Sequence, residues 1–411
     1  MNRGERLRLT IERPAAGGRM IARHDGAVVF VSGAIPGEVV DAEIEKVQRG
    51  TAWAATRDIL ERSPDRVDGA PDGACGGSVF AHIAYERQRQ LKSAIVDDAF
   101  RRIGRITLES PVEVVASPVN GYRMRARLHV RNGRIGFFRE GTHSLCEAAP
   151  TGQLRDDTIE VIRRLELSLA GEPRPQVGDI EIAENIDASE RAVHLELLPD
   201  GDASRLAAVT QVEGVAGASC ARPESARTME LFGSTTVTDQ ILGVRLERHV
   251  RSFFQGNRYL LAPFVESVLQ HLGRGSLVDL YAGVGLFSLT AQAAGAGPIT
   301  AVEGDLFAAR DLKRNAKGEI TVVELPVERF RARGKTAAVI VDPPRTGMSK
   351  DALARAIELN APSLVYVSCD VATLARDSRV LLDAGYRITS ARAFDLFPNT
   401  AHVETVIAFS R

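Results

Sequence analysis

In the first 63 residues the apolar positions fall in short alternating runs, "LRLTIER", "GRMIARHDG", "AVVFVSG", "EVVDAEIEKV" and "TAWAATRDIL", separated by glycine turns. That density of brief strands predicts a small β-barrel over residues 1–63. "RSPDRVDGAPDG" then breaks the alternation as a linker does. Leu91, Ile95, Ala99 and Ile103 recur every fourth position, which predicts an amphipathic helix with Arg87, Arg89 and Lys92 on its solvated side. In "GYRMRARLHVRNGRIGFFRE" the period shortens to two. Arg123, Arg125, Arg127, His129 and Arg131 share one strand face, Met124, Ala126, Leu128 and Val130 the other, and "NG" turns the chain into a second strand. Residues 64–240 thus read as a central α+β domain, although 151–235 carry no motif that can be interpreted. From Ser276 strands and helices alternate: "SLVDLY", "PITAVE", "ITVVEL", "AAVIVDPP" and "SLVYVSCD". This predicts a parallel, doubly wound α/β sheet within 241–411, and two last strands joined by "PNTA" form an antiparallel pair at its end.

Composition changes this picture little. The 411 residues are 44% hydrophobic and carry a formal net charge of -1, so a polyanionic partner must be met by a local basic surface. Six arginines and no acid between Gly121 and Arg139 offer such a face, or an ordinary solvated one. The N-terminus lacks the apolar core of a signal peptide and no window is long enough to span a membrane, so a cytoplasmic, monomeric protein is expected. Cys75, Cys146, Cys220 and Cys369 are widely scattered, the pattern of reduced thiols rather than a disulfide framework, and no cluster reads as a metal site.

Ligands of doubly wound sheets sit at the carboxyl ends of the strands. There "DLYAGVGLFS" supplies Gly283 and Gly285 for a tight turn, but Ser288 stands where a dinucleotide fingerprint has its third glycine. Glu303 closes the next strand, where a carboxylate can accept from both ribose hydroxyls of either NAD or S-adenosylmethionine. "VDPPR" and "VSCD" then place Asp342 and Cys369 at neighbouring strand ends. A dehydrogenase has no evident use for that thiol.

Taken in order, "SFFQGNRY", "DLYAGVGLFSL", "AVEGD", "VDPPRTG", "VSCDVATLARD" and "DLFPNTAHVETV" resemble the S-adenosylmethionine-dependent RNA 5-methyluridine methyltransferases, and "DGAVVFVSGAIPGEVVDAEI" resembles their N-terminal TRAM module. The resemblance implies a class I methyltransferase sheet behind an OB-like barrel, with S-adenosylmethionine as cofactor and a uridine of tRNA or rRNA as substrate. It implies Cys369 as nucleophile and Glu404 as base, with Gln255, Tyr281, Gly283, Gly285, Glu303 and Asp342 about the cofactor. Gln255, beside Phe253, could equally serve the uracil. Phe253, Arg123, Arg125 and Arg127 are the residues expected to meet RNA. Two departures stand out. Asp370 replaces a common asparagine and adds a negative charge beside the thiol, so it must be turned away or paired. Some relatives hold an iron-sulfur cluster with four cysteines; here only three remain once Cys369 is set aside, so no cluster is expected. The competing readings are a methyltransferase for another base or a small molecule, and a non-catalytic RNA-binding or RNA-folding protein.

Overall fold

The computed structural model describes residues 1–170, 176–223, 225, 227–332 and 334–411. Five strands close into a barrel in the order Arg6–Pro14, Met20–His24, Ala27–Ser32, Thr51–Glu61 and Val39–Gln48. The alternation read from the sequence fills it, with Leu7, Leu9 and Ile11 pointing inward from one strand. Glu38, buried at its mouth, accepts two 2.7 Å bonds from Arg66 and so ties the linker to the barrel.

The central sheet has seven strands in the order Met229–Gly233, Gly217–Ala221, Arg191–Leu197, Val177–Glu184, Arg125–Arg131, Arg134–Phe138 and Leu145–Cys146. Ala126, Leu128 and Val130 enter its core as the alternation requires. The C-terminal sheet runs Thr321–Glu324, Ile299–Glu303, Leu277–Leu280, Ala338–Val341, Ser363–Ser368, Glu404–Ser410, Arg387–Phe394 and Glu113–Val115. Its first five strands are mutually parallel, and Glu404–Ser410 is antiparallel to both its neighbours. The eighth strand, Glu113–Val115, comes from the central segment and pairs parallel to Arg387–Phe394.

Two sequence expectations are corrected. Cys75 and Cys146 are not free thiols: they are joined as a disulfide, because the turn after the linker bridges to Arg139, just past the strand Arg134–Phe138 that pairs with Leu145–Cys146. Nor is the Arg87–Lys92 side of the Tyr85–Ala99 helix solvated throughout. Tyr85, Gln88 and Lys92 share a stripe at i, i+3 and i+7, and that stripe faces the loop before the last strand. Lys92, fully buried, donates to Asp395 Oδ1 at 2.5 Å and to the Phe397 carbonyl at 3.0 Å. Gln88 exchanges two 2.9 Å bonds with Asn399, one to the side chain and one from the backbone. Arg89, on the adjoining face, donates to the Val114 carbonyl of the eighth strand. The period-four reading identified the helix but not what covered its polar side.

Because Asp395 is as buried as Lys92, removing one partner strands the other charge. Lys92→Met is expected to lower the unfolding free energy by roughly 3–5 kcal/mol in urea titration, and Lys92→Met with Asp395→Leu to recover part of that loss. A single variant as stable as the wild type would show that the pair is dispensable.

Candidate active site

Strand register brings the chemistry to one edge. Leu280 lies opposite both Val302 and Val341, so the next residues, Tyr281, Glu303 and Asp342, end three adjacent strands side by side. Ser368 lies opposite Thr405 across the antiparallel pair, so Cys369 and Glu404 are neighbours just beyond the last rung. The turn after Tyr281 passes through Gly283 (φ 56°) and Gly285 (φ 98°), both left-handed. A Cβ on Gly285 would come within 2.8 Å of Leu289 and Leu312, whereas one on Gly283 would meet open space. Glu303 clamps this turn, accepting from the Gly283 N–H at 2.7 Å and the Asp305 N–H at 2.6 Å.

Gln255 reaches the same place on a loop gripped from both sides. Asn257 donates to Ser117 and to the Leu396 carbonyl, and Arg258 donates to buried Glu184. Gln255 itself donates to Asp342 Oδ2 at 3.2 Å. Phe253, 62% exposed, stands at the rim with the Arg125 guanidinium over its ring. Lys92 and Gln88 hold the loop that leads into Glu404, so the linker helix positions the carboxylate from behind.

Two site residues were not singled out from sequence. Asp279, inside the first strand of "DLYAGVG", is fully buried; Ser288 donates to one oxygen at 2.6 Å and the other has no partner among the described residues. A carboxylate among apolar strand residues was the available signal. Ser288, which weakened the dinucleotide reading, is what holds it. The second is Arg345, just past the Pro-Pro turn. Its guanidinium is the cation that favours both the Cys369 thiolate and the ionised Glu404.

Electrostatically the edge is crowded with acids. Burial pushes Asp279 up to about 7, with Glu303 adding repulsion. Burial and then Asp279 raise Asp342; burial and then Asp342 raise Glu404, which Arg345 only partly offsets. Burial first, then Glu404, pushes the Cys369 thiol up to about 12, against the pull and hydrogen bond of Arg345. Asp370 takes no part in this: its carboxylate caps the Val371–Asp383 helix, accepting from the Thr373 N–H at 2.8 Å. The turned-away acid that the sequence demanded is therefore found.

This donor set suits a cation. An orphaned buried carboxylate oxygen, a ring of acids of raised proton affinity and an open glycine turn match a ligand bearing a sulfonium and an amino group. Comparison with known proteins settles the family. Residues 1–55 match the TRAM domain model and residues 236–411 the tRNA (Uracil-5-)-methyltransferase model. An uncharacterized RNA methyltransferase of Halalkalibacterium halodurans is 30% identical, with 99% of this chain and 97% of that one covered. The 23S rRNA (uracil(1939)-C(5))-methyltransferase RlmD of Pseudomonas putida is also 30% identical, covering 99% and 94%. The chain belongs to the RNA uracil-5-methyltransferases. The crystal structure of the Pyrococcus abyssi tRNA (uracil-54, C5)-methyltransferase in complex with S-adenosyl-L-homocysteine has the same fold, with a TM-score of 0.79 at 24% identity over 98% of this chain and 99% of that one. S-adenosylmethionine is accordingly the cofactor of this methyltransferase.

The arginines expected to meet RNA are not alike. Arg123 turns aside, donating to Gln153 at 2.6 Å and to the Arg125 carbonyl, with its guanidinium over Phe137. Arg125 pairs with Glu181, and Arg127 with Asp179 and Glu196. The arginine run contains no acid, but the strands paired beside it supply them. A bare phosphate-tracking strip is therefore not what this face presents.

A sulfonium bound beside Asp279 and Asp342 would favour their ionised forms and so lower their proton affinity. Cofactor affinity should therefore rise with pH until the free-site carboxyls are ionised. Calorimetric titrations from about pH 6 to about pH 7.5 should show S-adenosylmethionine binding strengthening by up to about tenfold per proton released per pH unit. S-adenosylhomocysteine, without the sulfonium charge, should show a shallower rise. Equal slopes for the two ligands would remove the carboxylates from the cation's recognition.

Proposed function

We propose that this methyltransferase modifies carbon 5 of a uridine in tRNA or rRNA through a covalent Cys369–uracil adduct resolved by Glu404, acting as a monomer in the cytoplasm. The observation that carries the reading is that Cys369 and Glu404 lie side by side just beyond the Ser368–Thr405 rung, with Arg345 beside both.

Carbon 5 of uracil is too weak a nucleophile to take a methyl group unaided. Once its proton has left to solvent, the Cys369 thiolate adds to carbon 6, and the carbon 5–carbon 6 π electrons move into the ring to make it an enolate that loads carbon 5 with electron density. The cofactor supplies the electrophilic methyl group. Loss of the carbon 5 proton to Glu404 then restores the double bond and expels the sulfur as leaving group. Glu404 suits this step because burial and Asp342 raise its proton affinity, which strengthens it as a base once ionised.

Activation of the thiol follows from the same charges. In the free site Glu404 and Asp342 oppose ionisation of Cys369. A cation bound at Asp342 offsets part of that opposition and leaves Arg345 to favour the thiolate. The sulfur is thus activated when the cofactor site is filled, which guards it against chance electrophiles. Gln255, tied to Asp342 and followed by Gly256, and the exposed ring of Phe253 supply an amide and a stacking surface for the extruded base. A small-molecule substrate would have no use for the barrel or for that exposed ring.

The two catalytic substitutions must fail differently. Cys369→Ala should bind RNA and cofactor yet form neither product nor adduct. Glu404→Gln should slow turnover by about 10²–10⁴-fold and leave methylated RNA bonded to the protein through a denaturing gel, in proportion to the cofactor added. The adduct should vanish in the double variant. An adduct that persists without Cys369 would sink the nucleophile assignment, and turnover retained in Glu404→Gln would assign proton removal to another group.

A further inference from the structure

Between the central sheet and the methyltransferase domain lies a second cavity of about 560 Å³, outside the cofactor and uracil positions assigned above. Its floor is a row across three paired strands: Arg127 lies opposite Glu181, and Glu181 opposite His194, with Glu196 two residues further along the last strand. The facing wall is Arg251, Asp305 and Phe307, and Arg222 closes one side. Arg251 lies 4.3 Å over the Phe307 ring and donates to the Ser225 carbonyl at 2.8 Å, which fixes its guanidinium plane.

The position is informative. Asp305 is held by Glu303 of the cofactor edge, and Glu181 pairs with Arg125, whose guanidinium covers the exposed Phe253 ring. The cavity therefore adjoins both the cofactor site and the rim over which RNA must pass. So is the charge: Arg127, Arg222 and Arg251 stand against Glu181, Glu196 and Asp305. His194 adds nothing, since burial and then Arg251 hold its imidazole neutral, down to about 3. Three guanidiniums balanced by three carboxylates favour neither a free anion nor a free cation, and an apolar ligand would strip all six of water without return. The complement is a flat, neutral molecule with donors and acceptors on its edges. A nucleobase has that chemistry, and guanine best of all, offering O6 and N7 to an arginine and its N1 and N2 hydrogens to carboxylates.

We propose that this cavity holds an unstacked guanine of a nucleotide flanking the target uridine and so sets sequence preference. The inference rests on the RNA-methylating reading of the active site. Arg251 and Arg127 meet its acceptor edge, and Glu196 and Glu181 its donor edge.

Unmodified tRNA and 23S rRNA transcripts are incubated with the full chain and S-adenosylmethionine. The transcript that accepts methyl groups is then randomised at the nucleotides flanking its modified uridine. Methylated molecules are captured with an antibody to 5-methyluridine and sequenced. The wild type is expected to enrich guanine at one flanking position by roughly tenfold or more. Arg251→Gln and, separately, Glu196→Gln should flatten that enrichment while the KM for the cofactor stays within about twofold of wild type. Wild-type methylation whose preference both variants retain overturns the proposal and leaves the active-site reading intact. So does a rise in the cofactor KM of Arg251→Gln with the guanine preference kept, which would make the cavity part of the cofactor site. Failure of the wild type to methylate any transcript overturns the active-site reading and this proposal together.

Discussion

Four carboxyl groups, those of Asp279, Glu303, Asp342 and Glu404, share one end of one sheet, and Arg345 is the cation set among them. Most of the site follows from that imbalance. Glu303 raises the proton affinity of Asp279, Asp279 that of Asp342 and Asp342 that of Glu404; two of the four are buried, and one buried oxygen lacks any partner among the described residues. A protein selected for stability alone would not collect like charges there, since each disfavours ionisation of the next. The arrangement makes sense when a cationic ligand completes it. With Cys369 and Glu404 in the roles proposed above, binding energy, thiol activation and base strength are three expressions of one electrostatic field, and a change at any one acid reaches all three.

Such a field works only if its sources stay in place, and the fold spends an unusual buried pair on doing so. The loop before Glu404 reaches the sheet through the Asp395 N–H, which donates to the Val115 carbonyl at 3.0 Å, and is further held by side chains. Lys92 and Gln88 reach it from a helix about 300 residues earlier in the chain, with separations of 303 and 311. The same helix fastens the eighth strand through Arg89, and Arg66 fastens the linker before it to the barrel. The barrel is thereby joined to the strand that carries Glu404 through hydrogen-bonded side chains, not through a flexible tether.

The elements most legible in the sequence were those whose packing is local. Period-two alternation located the barrel strands and the Arg125–Arg131 strand, and strand-helix alternation located the sheet that carries the site. Cys369, Asp342 and Glu303 were legible because strand ends in such a sheet converge whatever the loops do. What stayed hidden depended on partners remote in sequence. Lys92 looked solvated because its partners, buried Asp395 and the Phe397 carbonyl, lie 303 and 305 residues away, and nothing near either end reveals the other. Arg345 was not singled out because its partners, Cys369 and Glu404, come later in the chain, at the end of one strand and the start of another. The Cys75–Cys146 bridge spans 71 residues, and scattered cysteines conceal such a pairing until the chain is folded.

The arginine-rich strand shows why a run of like charges is weak evidence of a binding face. Alternation placed Arg125 and Arg127 outward correctly, yet the neighbouring strands set Asp179, Glu181 and Glu196 against them. Neutralised arginines release fewer counterions on meeting RNA, so they add less to the salt-dependent affinity that all sequences share. They are also held in defined orientations, which free surface arginines are not, and a fixed guanidinium can read a base edge where a mobile one merely attracts phosphate. With a formal net charge of -1, this enzyme has no general excess of charge with which to hold RNA indiscriminately. Discrimination must therefore come from groups fixed in place near the site, and the paired arginines meet that requirement because their acids take away their freedom along with their charge.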